Sequence, residues 1–338
     1  MRAVSRLVPR RPPGLARALL LGLAFASLLL AGCATQTRGL LASPPADLPP
    51  RIELAHTPFV EQADFQCGPA SLSMALGAAG FDTRPEDLIG RVFLPGRQGS
   101  LQIEMMAAAR AEGAVAVRIP GRLDALLREL AAGHPVVILQ NLSLAISPVW
   151  HYAVAIGYDL GRRELVLRSG PNRRETMALS TFEHTWARGG HWAFVALPPG
   201  RLPATATENA VVEALVAFER GARPEAARRA YAGALERWPG SHVLAIGLGN
   251  AAYAAGDRAA AADAFRAAAQ RHGDGAAWHN LAVVLREMGD LGQAEHAARQ
   301  AVAADGPWGA QAREELDRIR SLRERETTPR RGGGAGAR

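Results

Sequence analysis

One cysteine in this chain has the surroundings of a nucleophile. Cys67 is followed by Gly68 and Pro69, and Pro is favoured in the first turn of a helix. The apolar residues that follow share one helix face: Leu72, Ala75, Leu76 and Ala79. The pattern places Cys67 at or just before a helix N-terminus, where the dipole and unpaired N–H groups should lower the pKa of the thiol. A buried structural cysteine is the alternative.

A nucleophilic cysteine needs a base, and His151 is the best placed of the histidines. It opens the run HYAVAIGYD, whose alternation predicts a strand, after an apolar segment. We therefore expect the imidazole at the start of that strand. The remaining candidates lie before the cysteine, in a turn or in a later irregular stretch, and these are His56, His134, His184 and His191.

The segment QCGPASLSM around Cys67 resembles the active-site motif of the family-39 cysteine peptidases, which process bacteriocins after a double glycine, and of their stand-alone relatives. The resemblance implies a papain-like fold, His151 as the base and an oxyanion-hole glutamine shortly before the cysteine. Gln62 matches that position, five residues upstream, and its amide would donate to the oxyanion. Gln66, adjacent to Cys67, is less well placed. The implied reaction is amide hydrolysis through an acyl-thioenzyme.

This chain departs from the family at the third member of the triad. The family's Asp stands shortly before a Pro on the strand after the His, and here the stretch is LRSGPN, without a carboxylate. The position that aligns with this Asp is Ser169 or Gly170. Asn172 is a second candidate to orient His151, since papain-like enzymes use Asn in that role. Asp159 lies in a predicted turn and should face solvent. The site has a neutral orienter, an acid from elsewhere, or weakened activity.

The first 32 residues are predicted to be a bacterial lipoprotein signal peptide. They contain five Arg and no Asp or Glu, and a short apolar segment ends in Leu30-Ala31-Gly32-Cys33. This ending resembles a lipobox, which implies cleavage before Cys33 and a lipid on its thiol. Ala34 next to it favours the outer membrane, facing the periplasm, in a Gram-negative organism. The alternatives are an uncleaved signal anchor and a disulfide between the two cysteines of the chain.

Charge and motifs exclude other classes of partner. Five positive charges of the net +7 lie in the signal segment, and no basic stripe with aromatic residues follows, so nucleic acid is not an expected partner. No Cys/His cluster has metal-ligand spacing and no Gly-rich loop fits a phosphate. We therefore expect no metal and no cofactor.

Five segments are predicted along the chain. The signal peptide, 1–32, precedes a Pro-rich tether without a fold of its own, 33–51. An α+β papain-like cysteine peptidase domain, 52–200, is followed by an all-α array of tetratricopeptide repeats, 208–320, and a disordered tail, 321–338. The repeats follow from the 33-residue spacing between two Gly-Asp pairs. The array would bind a protein partner or serve as a structural cap.

These expectations combine into a membrane-anchored cysteine peptidase that acts on a peptide or protein substrate. Two alternatives use the same residues differently. A catalytically weak scaffold lipoprotein of the cell envelope would fit the missing carboxylate. An acyltransferase would pass the acyl group from Cys67 to an amine instead of water.

Overall fold

The computed structural model describes residues 34–62, 66–97, 99–304 and 306–327. The strands are β1 Arg51–Glu53, β2 Phe93–Leu94, β3 Gly99–Ser100, β4 Val115–Arg118, β5 Val136–Asn141, β6 Trp150–Asp159, β7 Glu164–Ser169, β8 Asn172–Ala178 and β9 Ala193–Leu197. The helices of the N-terminal part are α1 Thr35–Ala42, α2 Cys67–Ala78, α3 Pro85–Val92, α4 Gln102–Ala111, α5 Leu123–Ala131 and α6 Leu179–Arg188. Those of the C-terminal part are α7 Glu208–Glu219, α8 Pro224–Arg237, α9 His242–Ala254, α10 Arg258–His272, α11 Gly275–Glu287, α12 Leu291–Ala303 and α13 Gly309–Thr327.

An antiparallel sheet organises the first part of the chain. Its strands follow the order β4-β9-β5-β6-β7-β8, and β1 pairs with the far end of β6. In this arrangement the first residues of β6, β8 and β9 lie at the same end of the sheet as the last residues of β4, β5 and β7. We call this the active end, because His151 is the second residue of β6.

Strand β6 is apolar on both faces, and helices therefore cover both sides of the sheet. Tyr152, Val154 and Ile156 belong to a core that also contains residues of α2, α3 and α4. Ala153 and Ala155 belong to a second core, formed with α1, α5, α6 and α7. Alternation with period two thus distributes one strand between two cores. The α+β architecture expected from the sequence is confirmed at this level.

The segment after Cys33 is folded, which corrects the prediction of a structureless tether over 33–51. Helix α1 packs on α5 and α6, and Leu40 and Leu48 are buried in the core. The carboxylate of Glu183 on α6 accepts the backbone N–H groups of Gln36, at 2.9 Å, and Thr37, at 2.7 Å. These N–H groups are left unpaired at any helix start, so Glu183 supplies the missing acceptor from a distant part of the chain.

Glu183→Ala is expected to detach α1 from the domain. Hydrogen bonds to a charged group contribute about 1.5–3 kcal/mol each, and the variant removes both. Trypsin should then cleave after Arg38, an exposed residue of α1, faster than in the wild type, as followed by intact mass. Glu213→Ala, at an exposed glutamate of α7, is the control and should leave the rate unchanged. Equal cleavage rates in all three proteins would show that Glu183 does not hold the helix.

A buried carboxylate also holds the connection between the two parts of the chain. Glu129 on α5 accepts the backbone N–H groups of Ala204, at 3.0 Å, and Thr205, at 2.8 Å. Its other contacts are the hydroxyl of Thr205 and Nδ1 of His134. Burial raises the pKa of Glu129, but these hydrogen bonds outweigh it and the net shift is downward. The linker between β9 and α7 is therefore held to the sheet domain at Ala204 and Thr205.

The C-terminal part consists of helices, which confirms the helical expectation, whereas the assignment to tetratricopeptide repeats stays a prediction. Two of its turns are alike: Gly256 and Gly289, 33 residues apart, both have φ +83. In each, the next residue, Asp257 or Asp290, caps the following helix through its side chain. The predicted tail from 321 is wrong in its first residues, because α13 continues to Thr327.

The predicted membrane association depends on segments outside the described residues. The predicted signal segment 1–32 and Cys33 lie outside them. Within the described ranges, no helix combines the length and hydropathy needed to cross a bilayer.

Candidate active site

Cys67 is the first residue of α2, and close packing fixes this helix start. Gly68, Pro69 and Ala70 are buried behind it. A Cβ on Gly68 would lie 2.2 Å from Oγ of Ser100, so only glycine fits. The φ of Gly68 is not positive, so the close approach of Ser100 is what requires a glycine at this position. This packing fixes the position of Cys67 at the start of the helix.

Burial raises the pKa of the Cys67 thiol, contrary to the expectation from the helix N-terminus. The backbone N–H groups of Tyr152, Gly68 and Cys67 itself lower the pKa, but less than burial raises it. Removing the thiolate from water therefore raises the thiol pKa by more than the N–H groups at the helix start lower it. The free protein favours the neutral thiol.

His151 is held by a serine. Its Nε2 lies 3.0 Å from Oγ of Ser169, which is the last residue of β7 and is buried. Asn172, the other candidate, begins β8 and is exposed. The two are direct partners across a tight turn, in which Gly170 has φ +55. Of the two neutral residues left open by the sequence, Ser169 is the one in contact with the imidazole.

Burial also lowers the pKa of His151, so the imidazole is neutral near pH 7. The charge of Glu175 on β8 opposes this shift. Glu175 is half-buried and pairs with Leu167, two residues before Ser169. Glu175 is therefore a carboxylate whose charge acts on the imidazole, although it comes from the next strand.

The strand register brings the thiol to the backbone of Tyr152, the residue that follows His151. The N–H of Leu142 donates to the carbonyl of Val149, and in an antiparallel pair every second residue pair is hydrogen-bonded. By this alternation the pair of Leu139 and Tyr152 is not hydrogen-bonded. Pairing of β6 with β7 begins only at Val154. The N–H of Tyr152, the residue after His151, is thus free to point at the sulfur of Cys67, where it lowers the thiol pKa.

Gln62 lies between the start of α2 and the turn after Ser169. Its Nε2 is 3.4 Å from Oγ of Ser71, one helical turn after Cys67, and its backbone N–H donates to the carbonyl of Gly170 at 3.4 Å. Its Oε1 is buried and has no partner among the described residues. The structure therefore brings Gln62 to the same corner as Cys67, His151 and Ser169.

The other histidines are engaged elsewhere. His134 Nδ1 is 2.9 Å from Oε2 of Glu129, at the opposite end of the sheet. His191 packs edge-on against Trp186 and contacts the side chain of Gln36. His56 is exposed and His184 is on α6. Among the described residues, no three His, Cys, Asp or Glu side chains cluster as metal ligands would.

Sequence reasoning missed three contributors to this corner: Ser71, Tyr152 and Glu175. Ser71 could have been found, because a spacing of four places it on the same helix face as Cys67. The roles of Tyr152 and Glu175 follow from strand register, which a single sequence does not reveal. The corner combines a thiol, a neutral imidazole and inward N–H groups, as nucleophilic attack on a carbonyl requires.

Residues 55–193 match the model of the Peptidase_C39 like family, which is less than half of the chain. They form a Peptidase_C39-like domain that contains Gln62, Cys67, His151 and Ser169. Among solved structures, the chain is similar to a C39-like peptidase, so assigned provisionally, from Bacillus anthracis. The two are 20% identical, the match covers 44% of this chain and 97% of that one, and the TM-score is 0.36. No curated protein sequence matches the chain.

Proposed function

We propose that this chain is a membrane-anchored cysteine peptidase that cleaves amide bonds through an acyl-thioenzyme. Cys67 is the nucleophile, His151 its base, and Gln62 a donor to the oxyanion. The observation that supports this most is the pair formed by His151 and Ser169 beside the start of α2. The support comes from the combination: Ser169 fixes the imidazole, and the backbone N–H of the next residue, Tyr152, faces the only thiol among the described residues.

The chemistry starts from a neutral pair. With Nε2–H donated to Ser169, Nδ1 carries the lone pair that can accept a proton. His151 takes the thiol proton as the sulfur of Cys67 attacks the carbonyl carbon. The imidazolium then gives that proton to the departing amine. Water attacks the thioester, His151 accepts its proton and returns it to the sulfur, and the acid leaves.

The oxyanion is stabilised by Gln62 and by the backbone N–H of Cys67. Amide oxygen and nitrogen are assigned from their hydrogen bonds. In the rotated orientation, the hydroxyl of Ser71 donates to Oε1 of Gln62, and Nε2 takes the buried position that now has no partner. That orientation leaves a buried N–H for the developing charge, and Ser71 acts as its positioning residue.

The anchor and the helical part complete the proposal. A lipid on Cys33 would attach the protein to a bacterial outer membrane on its periplasmic side. The C-terminal helices, with their repeated turns, would hold a protein partner or the substrate itself. A peptide or protein is the substrate class that follows from the domain.

Cleavage of a peptide library, read by mass spectrometry, tests the function. Wild type should yield defined cleavage products and Cys67→Ala none. The absence of cleavage by wild type, together with full complementation of a deletion strain by Cys67→Ala, would favour the scaffold alternative. The observation that supports that alternative is Ser169 in place of a carboxylate, with a thiol pKa that burial raises.

A further inference from the structure

Large apolar side chains concentrate beside the active site without a protein partner. Ten such side chains are exposed in the described part of the chain, and five of them lie in residues 142–150, which we call the tip loop. The five are Leu142, Leu144, Ile146, Val149 and Trp150, from 44% to 91% exposed. His151 follows directly. Single exposed apolar residues are ordinary on a protein surface. Five of the ten exposed large apolar side chains lie in one loop, and this concentration requires an explanation.

The tip loop is held in shape by its base. Asn141 is buried, and its Oδ1 accepts the backbone N–H groups of Ser143 and Val149, both at 3.0 Å. Arg188 Nε donates to the Asn141 carbonyl at 3.1 Å. The loop, LSLAISPVW, has no charged residue. A braced loop with outward apolar side chains and no charge is suited to an apolar surface outside the protein.

The chain's own N-terminal segment reaches the described structure at this same end. Gln36, in the first turn of α1, contacts the carbonyl of Gly121 and the ring of His191. His191 precedes β9, and two strand spacings, about 10 Å, separate β9 from β6. Residues 18–32, which precede this point, are apolar. Whether Cys33 carries a lipid or 18–32 remains as an anchor, the membrane is brought to the active end.

We propose that the tip loop inserts into the surface of the lipid bilayer and that the corner of Cys67 and His151 faces the membrane. Ile103, 69% exposed at the start of α4, follows Ser100, which packs against Gly68 beside Cys67, and adds an exposed apolar side chain there. Arg118 and Arg188, both exposed at the active end, face the level of anionic headgroups. The substrate would then be cleaved close to the membrane surface.

The bilayer fits better than an apolar peptide as the occupant. A peptide site is concave, with a few polar groups that fix the backbone. Leu144 and Ile146 are instead 65% and 91% exposed, and two exposed arginines, Arg118 and Arg188, lie at the same end of the sheet, as in membrane-surface elements. The anchoring proposed above places a bilayer at this end, and the present inference rests on it.

The test is quenching of tryptophan fluorescence by brominated lipids, with the full chain reconstituted in vesicles of phosphatidylethanolamine and phosphatidylglycerol. Trp150 is 54% exposed, and Trp308 on the helical part is 43% exposed, which makes it a matched control. Brominated acyl chains should quench the fluorescence of wild type and Trp308→Phe equally.

Trp150→Phe should lose most of the quenched signal. Ile146→Asp should lower quenching of Trp150 by about twofold or more, because it places a charge at the tip; Val243→Asp should not.

Each outcome separates the claims. Vesicles that float with the protein while Trp150→Phe is quenched as strongly as wild type would overturn the insertion and leave the anchor intact. Failure of the full chain to float would overturn both. Quenching of Trp150 by a brominated apolar peptide but not by brominated lipid would assign the tip loop to the substrate instead.

Discussion

Cys67→Ala is expected to lower kcat/KM for a cleaved peptide by about 10⁴-fold or more, and His151→Ala by about 10²–10⁴-fold. The first removes the nucleophile. The second removes the proposed acceptor of the thiol proton at a site where burial keeps the thiol neutral. The two effects should not add, because the base has no role without the sulfur. Steady-state kinetics of the two single variants and the double variant measure this.

Asn172→Ala is the matched control for that series. Asn172 is three residues from Ser169 and was an equal candidate from the sequence, but it is exposed. Its replacement should change kcat/KM by less than about threefold, within the range of surface substitutions. A loss comparable to that of His151→Ala would assign the orienting role to Asn172 and contradict the hydrogen bond to Ser169.

Ser169→Asp is expected to convert the neutral pair toward a thiolate and imidazolium. A carboxylate next to Nε2 stabilises the charged imidazole and therefore raises the pKa of His151. The imidazolium in turn lowers the pKa of Cys67. In wild type, alkylation of Cys67 by iodoacetamide should have its midpoint above that of an ordinary cysteine, about 8.5. In Ser169→Asp the midpoint should move to lower pH.

Ser169→Asn separates charge from size in this experiment. It has nearly the same volume as Ser169→Asp and no charge, so its alkylation profile should stay close to that of wild type. The rate of alkylation of each protein from pH 5 to 10, followed by intact mass, gives the midpoints. If both variants shift the midpoint equally, the change is steric and the carboxylate has no electrostatic role at this position.

The sequence predicted the parts of this molecule that depend on local pattern. The alternation around His151 predicted β6, and Pro69 with the apolar spacing predicted α2. The two-part layout, an α+β domain followed by helices, could also be predicted, because the composition changes after Pro199. These features are determined by residues close to one another in the chain.

The remaining features depend on contacts between distant residues. The sequence predicts a linker where the structure has α1, because Glu183, which stabilises this helix, lies 146 residues from Thr37. The choice between Ser169 and Asn172 depends on a register shift between β7 and β8 and on the turn at Gly170. The direction of the Cys67 pKa depends on how completely α2 is buried, which outweighs the helix dipole. Local pattern contains none of these.

The most direct measurement of the central claim is covalent capture of Cys67 by a peptide-like electrophile. The full chain, folded, is treated with a peptidyl vinyl sulfone near pH 7, and the adduct is located by peptide mapping. The proposed site predicts an adduct on Cys67 that forms fast in wild type, because the bound peptide places the electrophile beside the thiol and its base. The reaction should slow strongly in His151→Ala and, on unfolding at the same pH, fall to the rate of an ordinary thiol. Equal labelling of wild type, His151→Ala and unfolded protein would contradict the claim that this cysteine is an activated nucleophile.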